Sequence, residues 1–213
     1  SELIEKELAG LRSYSRITGS PHLIRIFHVG ESGETLYYTM ELADDLGTGE
    51  LYIPATLSNL LKLKKRFTPA ETTELGLKLL AGLEILHKAR LVHRDIKPEN
   101  ILVSDRGEFK LGDFGIAKVS EKTATGTMTG TMGYMAPEVA NRWHYGAQAD
   151  IYSLGMVLYW MMNRRTLPFL PFPPAIPTAA QRQDAANRRF AGEDFPPPVN
   201  GSRALKAIVM KAC

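Results

Sequence analysis

The chain has 213 residues, of which 44% are hydrophobic and 23% are charged, and its formal net charge is +3. This balance is that of a globular protein and excludes a collagen-like repeat or a largely disordered chain. One cysteine, Cys213, excludes an intrachain disulfide and favours a reducing compartment. The longest nearly apolar stretch, residues 151–162, is too short to cross a bilayer. The sequence therefore predicts no membrane segment within these residues. No signal peptide is visible, so we expect a cytoplasmic location, with a membrane anchor outside these residues as the open alternative.

The beginning of the chain predicts a helix followed by a β-hairpin. Apolar residues recur at helical spacing from Leu3 to Tyr14, and the Thr-Gly-Ser-Pro run at 18–21 ends the helix. Two strand-like runs, residues 22–29 and 35–42, flank a glycine-bearing loop at 30–34. The stretch 44–54, which carries two glycines and two aspartates, reads as a linker, so we expect two packing units that meet near residue 43.

The remainder of the chain predicts mainly helices. A short amphipathic helix follows residue 56, and Thr68 and Glu71 form a capping box for a second helix. Its predicted buried face consists of leucines: Leu75, Leu79, Leu80, Leu83 and Leu86. Short strand-like runs follow at 91–92, 101–103 and 109–111. Residues 148–163 are apolar on nearly every face, which indicates a buried helix. The proline-rich stretch 168–198 predicts a loop with a helix near 181–190, and a last helix is predicted at 204–212.

Three short motifs occur in order between residues 93 and 138. Residues 93–100 read His-Arg-Asp-Ile-Lys-Pro-Glu-Asn, residues 113–115 read Asp-Phe-Gly, and residues 136–138 read Ala-Pro-Glu. The order and spacing of these motifs resemble the protein kinase family. The resemblance covers essentially the whole chain and implies phosphoryl transfer, a reaction in which the protein positions groups and neutralises charge.

The resemblance gives a role to each polar residue of these motifs. Asp95 is the implied catalytic base, and Lys97, two residues on in an extended loop, would hold the transferring phosphate. Asn100 and Asp113 supply the hard oxygen atoms that Mg²⁺ prefers, so they are the implied metal ligands. Thr131 fits the family's threonine that hydrogen-bonds the catalytic aspartate and lysine. We read the implied cofactors as ATP and Mg²⁺.

Other positions match the family's nucleotide site. Met40 would lie at the back of the adenine pocket. The backbone of Glu41 and Ala43 would hydrogen-bond adenine, and Leu102 would lie under the ring. Glu7 looks like the helix glutamate that pairs with the ATP-binding lysine, with an exposed helix glutamate as the alternative.

Residues 113–138 resemble the activation segment of the family. The segment is rich in threonine, and Arg94 is the implied partner of a phosphate on it. We expect autophosphorylation at one or more of Thr125, Thr127 and Thr129, and a dimer is a possible arrangement for it. A polar segment without modification is the alternative.

The implied fold is α+β, a two-lobed protein-kinase-like fold with a truncated small lobe and a mainly helical large lobe. We assign residues 1–43 to the partial N-terminal lobe, which holds a helix, a β-hairpin and the hinge, and residues 44–213 to the C-terminal lobe. No Gly-x-Gly-x-x-Gly run and no strand lysine precede Glu7. We therefore expect a partial sequence of a longer kinase, poorly soluble and nearly inactive by itself.

The implied function is that of an ATP-dependent serine/threonine kinase, because the Lys-Pro-Glu-Asn run at 97–100 resembles the serine/threonine branch and the segment looks similar to the bacterial eukaryotic-like kinases. The implied partners are ATP and a protein substrate with a serine or threonine. The leading alternative is a pseudokinase that acts as a nucleotide-binding scaffold. A nucleic-acid-binding module is more distant, since the basic surplus is small, and we expect no nucleic-acid partner.

Overall fold

The computed structural model describes residues 2–17, 20–33, 35–47, 49–63, 66–112, 131–141 and 146–213. These residues belong to two compact units. The first comprises Ser1–Leu63, Leu77–Arg94 and Pro98–Lys122, and the second comprises Lys64–Gly76, Asp95–Lys97 and Thr123–Cys213. The predicted lobe boundary at residue 43 stays a prediction.

The first unit begins with the predicted helix and hairpin. Helix α1 spans Glu2–Ser15, and strands β1 (Ile26–Ser32) and β2 (Thr35–Met40) pair antiparallel. Strand β1 extends three residues further into the loop than predicted, because Gly33 adopts a left-handed backbone with φ of 60° and makes a tight turn possible. Strand β2 begins at the predicted residue 35 and ends at Met40, two residues before the predicted end. Residues 22–25, predicted as strand, instead run beside the next sheet, where the Ile24 N–H donates to Leu111 O at 2.9 Å.

The first unit continues with helix α2 (Leu57–Leu63) and a second small sheet. Strands β3 (Ile101–Val103) and β4 (Phe109–Leu111) form an antiparallel pair with the predicted bounds. On its other edge, β3 bonds to the segment before α2, where the Val103 N–H donates to Ala55 O at 2.7 Å. The predicted strand at 91–92 is wrong: those residues have no ladder partner in the described part of the chain and lead directly into the loop that follows.

Helix α3 spans Pro69–Lys88, and its capping box is confirmed. The Thr68 N–H donates to Glu71 Oε2 at 2.7 Å, and the Glu71 N–H donates to Thr68 Oγ1 at 3.2 Å. Four of the five predicted leucines are buried, but Leu80 is 40% exposed. The reason is geometric, since Leu80 follows Leu79 by one residue and so points about 100° away from it around the helix.

The second unit is helical in its described residues. It contains α4 (Pro137–Ala140), α5 (Ala147–Met162), α6 (Ala179–Phe190) and α7 (Arg203–Ala212). Helix α5 is buried along nearly its whole length, as predicted, and α7 packs on it. Thr178 caps α6 through a capping box with Gln181. Small antiparallel sheets together with helices confirm the α+β class.

Candidate active site

The loop before β3 carries the motif residues and contains an unusual backbone conformation. Arg94 has a φ of 70°, in the left-handed region that non-glycine residues rarely adopt. Its side chain is exposed, whereas the side chain of His93 before it is completely buried. Strained backbone of this kind clusters at functional sites, so the conformation supports reading this loop as a site rather than as a simple connection.

Asp95 and Lys97 form a charged pair within the second unit. The Lys97 ammonium donates to Asp95 Oδ2 at 2.9 Å. The Asp95 side chain is 2% exposed and that of Lys97 is 17% exposed, so the carboxylate lies inside the protein while the cation reaches water. The two side chains therefore point to the same side of the loop, as their spacing predicts.

Asn100 ends a one-turn 3-10 helix, Pro98–Asn100, that leads into β3. Its side chain is buried, with 5% of the residue exposed. The Gly112 N–H donates to the Asn100 carbonyl oxygen at 2.9 Å, which holds the end of β4 against the start of β3. Gly112 directly precedes Asp113, the other predicted metal ligand, and Asp113 itself lies outside the described residues.

A cleft of about 370 Å³ opens in the first unit beside Asn100. All four predicted adenine-site residues, Met40, Glu41, Ala43 and Leu102, line it. The full lining is Ile24, Met40, Glu41, Leu42, Ala43, Tyr52, Pro54, Thr56, Glu99, Asn100, Leu102 and Gly112. A volume in this range, with apolar walls and a few polar groups, suits a small organic ligand.

The segment after β2, where Glu41 begins the predicted hinge, is fixed to its surroundings by Glu41. Its N–H donates to Arg25 O at 2.9 Å, and its carboxylate accepts from the Arg25 N–H at 3.3 Å. The same carboxylate forms an ion pair with Lys110 on β4. The wall of the cleft is thereby tied to β4 and to the residue that precedes β1.

Tyr52 is a cleft residue that the sequence analysis missed. Its hydroxyl donates to Ala43 O at 2.8 Å, and its ring lines the cleft. The loop that carries it folds back on itself, because the Asp45 carboxylate accepts from the Ile53 N–H at 3.0 Å and the Leu46 N–H donates to Ile53 O at 3.0 Å. The aromatic residue in this glycine-containing loop was the signal available in the sequence.

Two predicted site residues are described only in part. The side chain of Glu7 on α1 and that of Thr131 lie outside the description, although the backbone of each is placed. Thr131 begins a one-turn 3-10 helix, Thr131–Gly133. The threonines predicted to be phosphorylated lie outside the described residues altogether.

The described ranges contain no group of three or more His, Cys, Asp or Glu side chains that could hold a metal ion. In the same ranges, none of the helices has the length and hydropathy needed to cross a membrane.

The protein kinase domain model matches residues 2–211 of the chain. Among the curated relatives, serine/threonine-protein kinase PknL of Mycobacterium tuberculosis is 34% identical over 182 residues, which are 83% of this chain and 42% of the relative. A probable serine/threonine-protein kinase of Streptomyces coelicolor is 31% identical over 201 residues, or 90% of this chain and 28% of the relative.

A third relative is the probable serine/threonine-protein kinase pknA2 of Bifidobacterium longum. It is 34% identical over 153 residues, which are 70% of this chain and 19% of the relative. The chain thus spans less than half the length of each of these three relatives.

Proposed function

The chain belongs to the protein kinase family, and on that premise we propose that the protein is an ATP-dependent serine/threonine kinase. The observation that supports this best is the cleft of about 370 Å³ in the first unit, which brings the predicted adenine-site residues together with Asn100. The three relatives named above, all called serine/threonine-protein kinases, support the same substrate class and do not favour a nucleotide-binding scaffold.

The cleft fits a purine base on chemical grounds. Ile24, Met40 and Leu102 contribute apolar side chains on which a flat ring can lie, and the segment from Glu41 to Ala43 contributes backbone donors and acceptors. Ala43 is held in place by the Tyr52 hydroxyl. We propose that the adenine of ATP binds here.

The phosphates would extend from the cleft toward Asn100. Its side-chain oxygen is the kind of hard ligand that Mg²⁺ takes, and Asp113, the residue after Gly112, would supply a carboxylate. When bound, the metal ion neutralises charge on the phosphate oxygens. A magnesium ion that bridges nucleotide phosphates needs only one or two protein ligands, so a pair of residues is sufficient.

In the transfer step, Asp95 would accept the proton of a serine or threonine hydroxyl as the oxygen attacks phosphorus. The burial of its carboxylate excludes water from the proton it receives, and Lys97 at 2.9 Å holds the carboxylate in one orientation. The ammonium, which is partly exposed, also offers a positive charge to the transferring phosphate. Thr131 would complete the arrangement by hydrogen bonding to these two side chains.

The proposed partner is a protein with a serine or threonine at its surface, and a dimer that phosphorylates itself remains part of the proposal. We propose a cytoplasmic location for the kinase domain, where ATP is available and a lone cysteine stays reduced.

The experiment uses the complete protein, purified, with ATP, Mg²⁺ and a mixed serine/threonine peptide library. We expect Asp95→Asn to lower phosphate transfer by about 10²–10⁴-fold, because it removes the proton acceptor, while nucleotide affinity stays within about twofold. Asp105→Asn is the matched control: Asp105 is exposed in the turn between β3 and β4, and its loss should leave transfer unchanged. Nucleotide binding without transfer by the unaltered protein would contradict the proposal and favour the scaffold.

A further inference from the structure

Arg189 on α6 is a buried cation whose guanidinium binds three backbone carbonyls and also interacts with the Tyr152 side chain, contacts that the motifs do not explain. The residue is 3% exposed. Its Nη1 donates to Gly133 O at 2.7 Å and its Nη2 to Met132 O at 3.1 Å, while Nε reaches Ala185 O in its own helix at 3.3 Å. Removing a cation from water costs free energy, so such burial usually marks a residue that holds something in place.

Two of the three carbonyls that Arg189 binds, those of Met132 and Gly133, belong to the 3-10 turn Thr131–Gly133. The last carbonyls of a short helix have no hydrogen-bond donor within the helix. Here the planar guanidinium of Arg189 donates to two of them. A second contact confines the same turn, because a Cβ built on Gly133 would come within 2.7 Å of Leu167 Cδ1. The turn is therefore packed closely against Leu167 and hydrogen-bonded to α6.

We propose that Arg189 is a positioning residue for phosphoryl transfer: by fixing the Met132 and Gly133 carbonyls it sets the place of Thr131, the threonine assigned to Asp95 and Lys97. This inference rests on the proposed kinase function. Arg189 acts through the turn and not on the reacting atoms. A lysine at this position keeps the charge but cannot reach both carbonyls with the same planar geometry.

The test uses the complete protein and compares Arg189→Met and Arg189→Lys with Arg188→Met. Arg188 is the matched control, since it is the neighbouring arginine on α6 but pairs with Glu193 and lies 3.8 Å from the centre of the Phe169 ring. We measure kcat per folded molecule, nucleotide Kd and melting temperature for each. We expect Arg189→Met to lower kcat about tenfold or more, the size of a charged hydrogen bond, with nucleotide Kd unchanged. The kcat of Arg189→Lys should lie between those of Arg189→Met and the unaltered protein, and the kcat of Arg188→Met should equal that of the unaltered protein.

A double-mutant cycle with Thr131→Val separates positioning from general stability. If Arg189 acts through Thr131, the double variant should be no slower than the slower single variant, because both changes remove the same arrangement. The inference would be overturned if the fold-losses in kcat of the two single variants multiplied in the double variant. It would also be overturned if Arg189→Met lowered the melting temperature but left kcat per folded molecule normal. If Arg189→Met does not fold, the cycle is measured with Arg189→Lys. An unaltered protein that binds nucleotide but transfers no phosphate would instead refute the proposed function, and the inference would fall with it.

Discussion

Alanine substitution should raise the free energy of unfolding at one helical glycine and lower it at two others. Each of the three changes gains the same intrinsic helix propensity of about 1 kcal/mol. At Gly76 in α3, the added Cβ would lie 3.2 Å from Leu158 Cδ1, the far end of a flexible side chain. A leucine methyl can turn aside by a few tenths of an ångström. We therefore expect Gly76→Ala to raise the free energy of unfolding by about 0.5–1 kcal/mol.

At Gly82 and Gly155 the neighbours include atoms that cannot turn aside, the backbone oxygen of His22 and the Cβ of Ala212. The Cβ of an alanine at 82 would lie 2.9 Å from the backbone oxygen of His22. At 155 it would lie 2.8 Å from Cys213 Sγ and 3.0 Å from Ala212 Cβ, where α7 packs on α5. Overpacking against fixed atoms costs about 1–3 kcal/mol, which exceeds the gain in propensity. We expect each of these two variants to lose up to about 2 kcal/mol.

The assay is urea unfolding of the three single variants beside the unaltered protein, with linear extrapolation and a check that the slopes agree. The expected order of stability places Gly76→Ala above the unaltered protein and the other two variants below it. Equal stabilisation of all three would refute the reasoning, since it would show that the helices separate freely and that propensity alone decides.

Two further predictions concern the cleft and alkaline pH. Tyr52→Phe should weaken ADP binding about threefold in a calorimetric titration, because it removes the hydroxyl bond to Ala43 while keeping the ring; unchanged affinity would show that the bond does not shape the site. Burial raises the pKa of Cys213 to about 12 and that of Tyr152 to about 12. Because the unfolded chain releases these protons at lower pH, unfolding should become easier as the pH rises from about 9 toward 12, and the stability they contribute should be complete below pH 9. Urea midpoints of the unaltered protein at pH 8 and 10.5 test this, and the midpoint should be lower at pH 10.5. In Cys213→Ser the difference between the two midpoints should be smaller. Equal midpoints at the two pH values in the unaltered protein would contradict the prediction.

Much of the fold could be predicted because local signals agreed with packing. The Thr68–Glu71 capping box places the start of α3, and the continuous apolar run after Ala147 predicts a buried α5. The errors arose where tertiary contacts decide. Leu80 satisfies the helical spacing loosely but points to solvent. Residues 22–25 pair with β4 through hydrogen bonds between residues that are far apart in the sequence.

The candidate site was predictable in its motif residues and not in its supports. The spacing of Asp95 and Lys97 implies a shared direction, which the 2.9 Å contact between their side chains shows. Nothing in the local sequence links Tyr52 to Ala43, or Arg189 to a turn 56 residues earlier. Such long-range bonds depend on how the loop and α6 pack, and no periodicity or motif encodes that.

The Tyr52 hydroxyl has a consequence for the design of inhibitors. It already donates to the Ala43 carbonyl at the wall of the cleft. A compound that relies on donating to that carbonyl must share it with the phenol, or displace the phenol at the cost of about one hydrogen bond. A compound with an acceptor directed at the phenol oxygen, after the phenol rotates toward it, would gain a contact that belongs to this chain's own loop, and selectivity could be built on it.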